Sequence, residues 1–180
     1  MRFALSAFPH GIETAAGNRV VYDVARSEAC FGASSVAGHA LVWELDGEPG
    51  GDALISSDVE LDDAERWLMR CDRVDFPPGG VAYRHTHPGP GIRCLLHGSI
   101  RIDTEGRSRE YERLEAWFER GPDPVYAQAS ATQETAFVRV MLLPAAWRGK
   151  RTITYVDPTD ADRPKLQRAT ILLETSIELR

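Results

Sequence analysis

The chain has 180 residues, of which 43% are hydrophobic and 27% charged, so it is long enough to enclose a hydrophobic core and has a globular composition. Its 27 acidic and 21 basic residues give a net charge of −6 with the basic residues scattered, and we expect no nucleic-acid partner. Because no run approaches the roughly 18 to 20 apolar residues of a membrane span and no signal-peptide core follows the start, we expect a cytoplasmic protein with no membrane association.

Short strand-like runs separated by turn signals follow one another along the chain. In order, these runs are 19–24, 39–45, 65–76, 92–96, 99–104, 136–143, 152–156 and 169–173. Clusters of Gly and Pro mark loops at 47–51, 77–80, 88–91 and 121–124. This rhythm favours an antiparallel sandwich or barrel over alternating strands and helices, and it predicts little helix.

Two of the five histidines, His85 and His87, lie two residues apart beside a Pro-Gly loop. In an extended chain this spacing places both imidazoles on one face, so they can converge on one point. Imidazole binds Fe, Mn, Ni, Cu and Zn, and the pair therefore predicts a divalent-metal site. The alternative is two solvated loop histidines.

The segment 77–102, PPGGVAYRHTHPGPGIRCLLHGSIRI, resembles the first cupin motif, with matches at Gly80, His85, His87 and Gly98. The segment 110–130, EYERLEAWFERGPDPVYAQAS, is similar to the second, weaker motif, with Gly121 as the glycine of its Pro-x-Gly element. Together they span about residues 72 to 143. The resemblance implies an all-β, cupin-type antiparallel jelly-roll barrel. It also implies a divalent metal, held inside the barrel by three histidines and one glutamate.

Two positions depart from these motifs. Gly91 stands where the family has its glutamate, and Pro124 stands where it has its third histidine. With only His85 and His87 left of the four ligands, we expect a weakly held ion. Other side chains could complete the shell, and the sequence does not choose among Glu115, Glu119, Tyr126, Gln128, His10 and His39.

Two more residues are candidates for catalysis. Arg93 falls on the face of the histidines if the strand alternation continues past Gly91, and inside a barrel it needs a structural carboxylate or an anionic ligand. Tyr83 lies two residues before His85, so we expect it on the same face as a pocket wall or proton donor. Trp117 and Phe118 are candidate apolar walls.

We therefore expect one cupin domain over 1–180, with flanks 1–71 and 144–180 that add strands or dimer contacts, in a homodimer. The leading functional hypothesis is a metal-dependent enzyme, such as an oxidoreductase, isomerase or lyase, acting on a small organic molecule. Oxygenation by a dioxygenase is one such reaction. The alternative is a non-catalytic barrel that binds or senses a small ligand without a tightly bound metal, and a third hypothesis is a purely structural barrel.

Overall fold

A computed structural model describes residues 1–47, 50–63 and 65–179, and its regular structure is almost entirely antiparallel β-sheet. The helical segments described are two short 3-10 helices, Ala145–Trp147 and Pro158–Asp162, so the prediction of little helix is confirmed. Over the same residues, no helix has the length and apolar character needed to cross a membrane.

The first part of the chain forms a sheet of its own, which we call the N-terminal sheet. Its strands lie in the order β4-β3-β6-β1-β7 and span Arg2–Phe8 (β1), Arg19–Asp23 (β3), Glu28–Phe31 (β4), Ala40–Leu45 (β6) and Asp52–Asp58 (β7). A separate short pair joins Ile12–Thr14 (β2) to Ser34–Val36 (β5).

The next eight strands build a barrel from two facing sheets. They span Trp67–Phe76 (β8), Val81–Thr86 (β9), Gly91–His97 (β10), Ile100–Thr104 (β11), Arg107–Tyr111 (β12), Ala116–Glu119 (β13), Val125–Ala129 (β14) and Thr135–Pro144 (β15). The middle sheet has the order β13-β10-β15-β8, and the third sheet has the order β12-β11-β14-β9. Successive strands cross between the sheets except at the β11–β12 hairpin. This order is that of a jelly roll, so the predicted fold is confirmed.

Both flanks add strands, but they do so in different ways. At the C-terminal end, Thr154–Tyr155 (β16) pairs with β9 in the third sheet, and Arg168–Ile177 (β17) pairs with β8 in the middle sheet. The N-terminal flank does not extend either barrel sheet. Its apolar face instead packs on the outward face of the middle sheet, where Trp43 donates a hydrogen bond from Nε1 to the carbonyl oxygen of Ile92 at 3.1 Å.

The middle sheet is thus buried on both faces. Its outward side chains share one core with the N-terminal sheet, formed by residues such as Phe3, Leu5, Tyr22, Leu41, Met69, Cys71, Ile92, Cys94, Val138, Val140 and Leu142. Its inward side chains meet the third sheet around Val74, Phe76, Leu95, Ile100, Trp117 and Phe137. Burial on two faces explains why β15 is apolar over most of its length and does not alternate strictly.

Candidate functional site

His85 lines the barrel interior because β9 carries one extra residue opposite β14. Val125 pairs with His85 and Ala127 pairs with Ala82, so two positions on β14 oppose three positions on β9. Such a β-bulge changes which residues share a face. Ala82 and His85 both face the interior cavity, and His85 is only 4% exposed.

His87 follows β9 and is seated by a close approach of two loops. Its backbone N–H donates to the carbonyl oxygen of Gly121 at 2.7 Å. Gly121 has φ of +111°, and a Cβ at this position would lie 2.5 Å from the carbonyl carbon and oxygen of Gly89. Glycine is therefore required here for both conformation and space. Because the two loops approach so closely, His87 is held beside His85 with only 4% of its surface exposed.

The Nε2 atoms of the two imidazoles face each other. Nδ1 of His85 lies 2.6 Å from the carbonyl oxygen of Tyr83, and Nδ1 of His87 lies 2.9 Å from that of Thr152. A carbonyl oxygen only accepts, so each Nδ1 carries the hydrogen and each Nε2 keeps a lone pair. The two Nε2 atoms are 3.2 Å apart. Nitrogens bound side by side to one ion at about 2.1 Å would be separated by roughly 3.0 to 3.4 Å.

Glu119 brings a carboxylate to this pair from the end of β13. Its Oε1 accepts a hydrogen bond from Nε1 of Trp117 at 2.8 Å. Its Oε2 lies 3.7 Å from Nε2 of His87 and 2.7 Å from Nη2 of Arg93. The contact with Arg93 is an ion pair without hydrogen-bond geometry, so this buried oxygen has no hydrogen-bond partner among the described residues. One carboxylate lone pair is thus available beside the histidines.

The substitution of glycine for glutamate at position 91 is explained by Arg93. A Cβ at Gly91 would lie 2.8 Å from Nη1 of Arg93, and that nitrogen donates to the carbonyl oxygen of Gly91 at 2.6 Å. The guanidinium therefore occupies space that a side chain at position 91 would need. Gly91 pairs across the sheet with Glu119, so the carboxylate reaches the site from the neighbouring strand.

Arg93 remains a cation although it is 1% exposed. Burial lowers its pKa to about 10, while the charge of Glu119 acts in the opposite direction. Of the two partners that the sequence left open for Arg93, the structure contains the carboxylate. The charge of Arg93 is thus paired inside the barrel.

Sequence reasoning missed a second buried arginine and its partners. Nη1 of Arg139 lies 3.4 Å from Nε2 of His87, and its Nε and Nη2 donate to Oδ2 of Asp72 at 3.0 and 2.8 Å. The other oxygen of Asp72 accepts from Nε of Arg70 at 2.7 Å, and Asp72 has no exposed surface. A signal was present in the sequence, since Arg70 and Asp72 occupy alternate positions in the apolar first half of the strand, after Trp67, Leu68 and Met69.

Both histidines are neutral in this environment. Burial is the main reason that the pKa of each imidazole falls below its ordinary value, and the pKa of His87 falls furthest because Arg139 and Arg93 add positive charge around it. Neutral imidazole is the form that binds a metal.

Tyr83, Tyr126 and Gln128 lie outside this arrangement. The bulge in β9 turns Tyr83 away from the face of His85, which corrects the expected shared face, and its ring lies 4.9 Å beneath the guanidinium carbon of Arg163. Tyr126 and Gln128 alternate with the buried residues of β14 and occupy its opposite face. The ring of Tyr126 lies 5.8 Å from the guanidinium carbon of Arg101. The carboxylate of Glu119 is the candidate completing group that the structure brings to the histidines.

A cavity of about 40 Å³ remains between these groups. It is bounded by six polar side chains and an apolar wall. The polar side chains are His85, His87, Arg93, Glu119, Arg139 and Gln167, and the apolar wall includes Val74, Phe76, Trp117, Val125 and Phe137. A cavity of this size holds a few water molecules or an ion. Among the described residues, no three His, Cys, Asp or Glu side chains already stand at metal-binding geometry.

No protein-family model matches the chain, and no curated protein sequence matches it. It resembles three solved structures among others, all at TM-scores near 0.4. An RmlC-like cupin from Shewanella frigidimarina matches at 14% identity over 43% of this chain and 67% of that one, with a TM-score of 0.39. A polyketide cyclase from Streptomyces resistomycificus matches at 20% over 52% and 62%, with a TM-score of 0.40.

An oxalate oxidase matches at 19% identity over 44% of this chain, with a TM-score of 0.39, and the match spans 47% of that protein. These likenesses concern the fold, which the strand order establishes without them. The protein has a jelly-roll barrel with an additional N-terminal sheet.

Proposed function

We propose that the protein is a metal-dependent enzyme acting on a small organic molecule, in which His85, His87 and Glu119 hold a divalent ion. The observation that carries this proposal is the 3.2 Å separation of two Nε2 atoms that both have lone pairs. Two lone pairs facing each other repel unless a proton or a cation lies between them. Burial and two nearby arginines disfavour the proton, as the lowered pKa values of both histidines reflect.

The carboxylate of Glu119 fits this ion as a third ligand. Its Oε2, which pairs with Arg93 at 2.7 Å, is 3.7 Å from Nε2 of His87, so it must move by only a few tenths of an ångström to reach the roughly 3.0 to 3.4 Å spacing of adjacent ligands. Two histidines and one carboxylate leave coordination positions open, as in non-haem iron(II) oxygenases. Fe, Mn, Ni, Cu and Zn all accept this donor set, and oxygenation is one reaction it would support.

The remaining residues position this centre. When bound, a divalent ion would supply Lewis acidity or a place to activate oxygen or water. The carbonyl oxygens of Tyr83 and Thr152 fix the imidazole tautomers, and Trp117 holds one oxygen of Glu119. Arg139 presents a buried positive charge that would stabilise negative charge developing on a substrate.

A second function is favoured by one observation in the same place. Nη1 of Arg139 lies 3.4 Å from Nε2 of His87 and so competes with a cation for that lone pair. This contact supports a metal-free barrel that binds or senses a small ligand through hydrogen bonds. The two functions differ in whether the purified protein holds metal.

Metal analysis of protein purified without a His-tag tests the proposal. We expect close to one Fe, Mn, Ni, Cu or Zn per chain, or saturable uptake of Co²⁺ with a visible absorption band, and loss of both in His85→Ala/His87→Ala. His97→Ala is the matched control, because His97 is exposed and its ring forms one hydrogen bond among the described residues, with the carbonyl oxygen of Glu134 at 3.2 Å. A folded wild-type protein that binds none of these ions would contradict the proposal and favour the second function.

Glu119→Gln separates the two glutamates that the sequence left open. We expect it to weaken Co²⁺ binding by about 10- to 100-fold, because the amide is a poorer ligand and the buried Arg93 loses its counter-charge. Glu115→Gln should leave the affinity unchanged, since Glu115 pairs with the exposed Arg109 at 2.9 Å. Equal affinities for both variants would remove Glu119 from the site.

The homodimer also belongs to this proposal. Three large apolar side chains are exposed in the described structure, Val156, Leu166 and Ile171, and all lie in the C-terminal segment that edges the barrel sheets. Such a surface suits contact with a second copy. Light scattering coupled to size exclusion should give twice the 20.0 kDa chain mass, and a monomer would contradict this part.

A further inference from the structure

We propose that the mouth of the barrel binds the anionic group of a small organic acid, with Arg151 and Lys165 as its charged contacts and Arg139 at its inner end. This inference rests on the proposed function, because it names the class of substrate for the centre at His85 and His87. The site is a second cavity of about 310 Å³, which we call the vestibule. It is lined by Arg139, Arg151, Thr152, Ile153, Lys165, Gln167 and Ala169.

The vestibule adjoins the inner cavity. Four residues line both spaces, namely Arg139, Ile153, Gln167 and Ala169. The inner cavity of about 40 Å³ is too small for an organic molecule, whereas a volume of about 310 Å³ falls at the lower end of small-molecule sites. A substrate would therefore occupy the vestibule, next to the residues that also line the inner cavity.

Lys165 is held in place without being neutralised. Its Nζ donates to the backbone carbonyl oxygens of Asp160, Ala161 and Arg163 at 2.7, 2.8 and 2.5 Å, and it lies 5.0 Å from the centre of the Tyr155 ring. Among the described ion pairs, it has no carboxylate partner. The three N–H groups of the ammonium are thus donated to neutral carbonyls, so Lys165 contributes positive charge near a ligand and no hydrogen bond to it.

Arg151 also lies against Tyr155 and, like Lys165, carries a charge without a described carboxylate partner. Its Nη2 donates to the phenol oxygen of Tyr155 at 2.7 Å, and its guanidinium carbon lies 5.4 Å from the ring centre. No described carboxylate pairs with it, and the lining of the vestibule contains no acidic side chain. Arg151 and Lys165 therefore give the vestibule an uncompensated positive charge, which an anionic oxygen group would neutralise.

The inner end of the vestibule adds an unused acceptor. Oε1 of Gln167 is buried and has no hydrogen-bond partner among the described residues. A buried acceptor without a partner is costly, so a ligand that donates an O–H or N–H there gains affinity. The chemistry of the site is therefore that of a small acid that also carries a hydroxyl or amino group. The anionic group itself can be a carboxylate or a phosphate.

Calorimetric titration of metal-free protein tests this inference with malate, succinate, inorganic phosphate and the uncharged malamide. We expect malate to bind at least about tenfold more tightly than malamide, and more tightly than succinate, which lacks the hydroxyl group. Tighter binding of phosphate than of malate would assign a phosphate group to the natural ligand. Absence of binding by all three anions at millimolar concentration, or equal binding of malamide and malate, would overturn the proposal.

Charge variants localise the effect. Arg151→Gln and Lys165→Gln should each weaken binding of the preferred anion by about fivefold or more, with unchanged melting for Arg151→Gln. Arg107→Gln is the matched control, because Arg107 is exposed on β12, at the opposite edge of the third sheet from β16. An equal loss in Arg107→Gln would show a general effect of net charge and would contradict a built site.

The metal-binding variants distinguish failure of this inference from failure of the proposed function. Anion affinity of the metal-free His85→Ala/His87→Ala protein should stay within about threefold of wild type, since neither histidine lines the vestibule. A protein that binds anions but no metal contradicts the enzyme proposal alone. A protein that binds metal but no anion contradicts the vestibule alone.

Discussion

The two faces of the middle sheet are both buried, yet they carry opposite kinds of side chain. The outward face meets the N-terminal sheet mainly with apolar residues, such as Met69, Ile92 and Val140, while Arg73 on the same face donates to the hydroxyl of Ser27 at 3.0 Å. The inward face carries four buried charged residues on the same strands, Arg70, Asp72, Arg93 and Arg139. One strand thus alternates between an ordinary core and a polar interior.

The outward face of the middle sheet stabilises the fold, whereas the inward face surrounds the proposed site. Apolar packing on the outward face provides stability in proportion to the area removed from water. Buried ion pairs repay their desolvation poorly, and apolar replacements are often as stable. Because the inward face could have been apolar, we interpret its charges as part of the proposed site, and two of them, Arg93 and Arg139, line the cavity with both histidines.

We expect the largest loss of stability from a substitution that removes a buried charge on the inward face. Asp72→Asn leaves the guanidinium groups of Arg70 and Arg139 without their shared carboxylate, and it should lower the free energy of unfolding by about 3 to 5 kcal/mol. Asp75→Asn on the same strand is the matched control, because Asp75 pairs with Arg73 at the surface. That variant should cost at most about 1 kcal/mol. Urea unfolding measures both, and similar losses would contradict the contrast between the two environments.

Leu5→Ala breaks the apolar face instead. Leu5 is fully buried between the N-terminal sheet and the middle sheet, so its truncation should cost about 3 kcal/mol through lost burial and a residual cavity. Co²⁺ affinity at His85 and His87 should be unchanged, since the histidines lie on the other side of the sheet. A loss of metal affinity in a folded Leu5→Ala protein would show that the two faces are not independent.

Acidification should weaken the metal-free protein through the histidines. Burial lowers the pKa of His85 and His87 in the folded state, so the unfolded chain takes up protons first as the pH falls. Their contribution to stability is therefore complete above the ordinary value of about 6.5 and is lost below it, by roughly 1 kcal/mol per pH unit for each histidine. Urea unfolding between pH 7 and 5 measures this slope.

His85→Gln/His87→Gln should reduce that slope, and His97→Gln should not, because His97 is exposed. If the double variant and wild type lose stability in parallel over this range, other groups cause the acid sensitivity. That result would contradict the prediction that both histidines are buried and neutral in the folded protein.

Much of the fold was predictable from local sequence. The strand runs that the sequence indicated, such as 65–76 and 136–143, correspond to β8 and β15, since turn residues bound them clearly. The sequence predicted that the flank 1–71 adds strands or dimer contacts, but it did not locate individual strands in 1–18 and 50–58 or predict their separate sheet. Sheet membership depends on pairings between distant segments, such as Phe3 with Leu45, which local patterns do not contain.

The site was predictable in its location but not in its membership. His85 and His87 carry a spacing that identifies them, whereas Tyr83 was misplaced because one bulge in β9 reverses the alternation before His85. Glu119 could not be chosen over Tyr126 and Gln128, because its position opposite Gly91 depends on the register of β10 with β13. Register is a property of the folded sheet.

X-ray absorption spectroscopy of the Co²⁺-loaded protein tests whether His85 and His87 hold a metal ion. We expect the bound ion to have a first shell with two imidazole nitrogens at about 2.0 to 2.1 Å and an oxygen contribution that diminishes in Glu119→Gln. The imidazole scattering should disappear in His85→Ala/His87→Ala. A bound ion with an all-oxygen shell, or with imidazole scattering that survives in that double variant, would contradict a metal centre at His85 and His87.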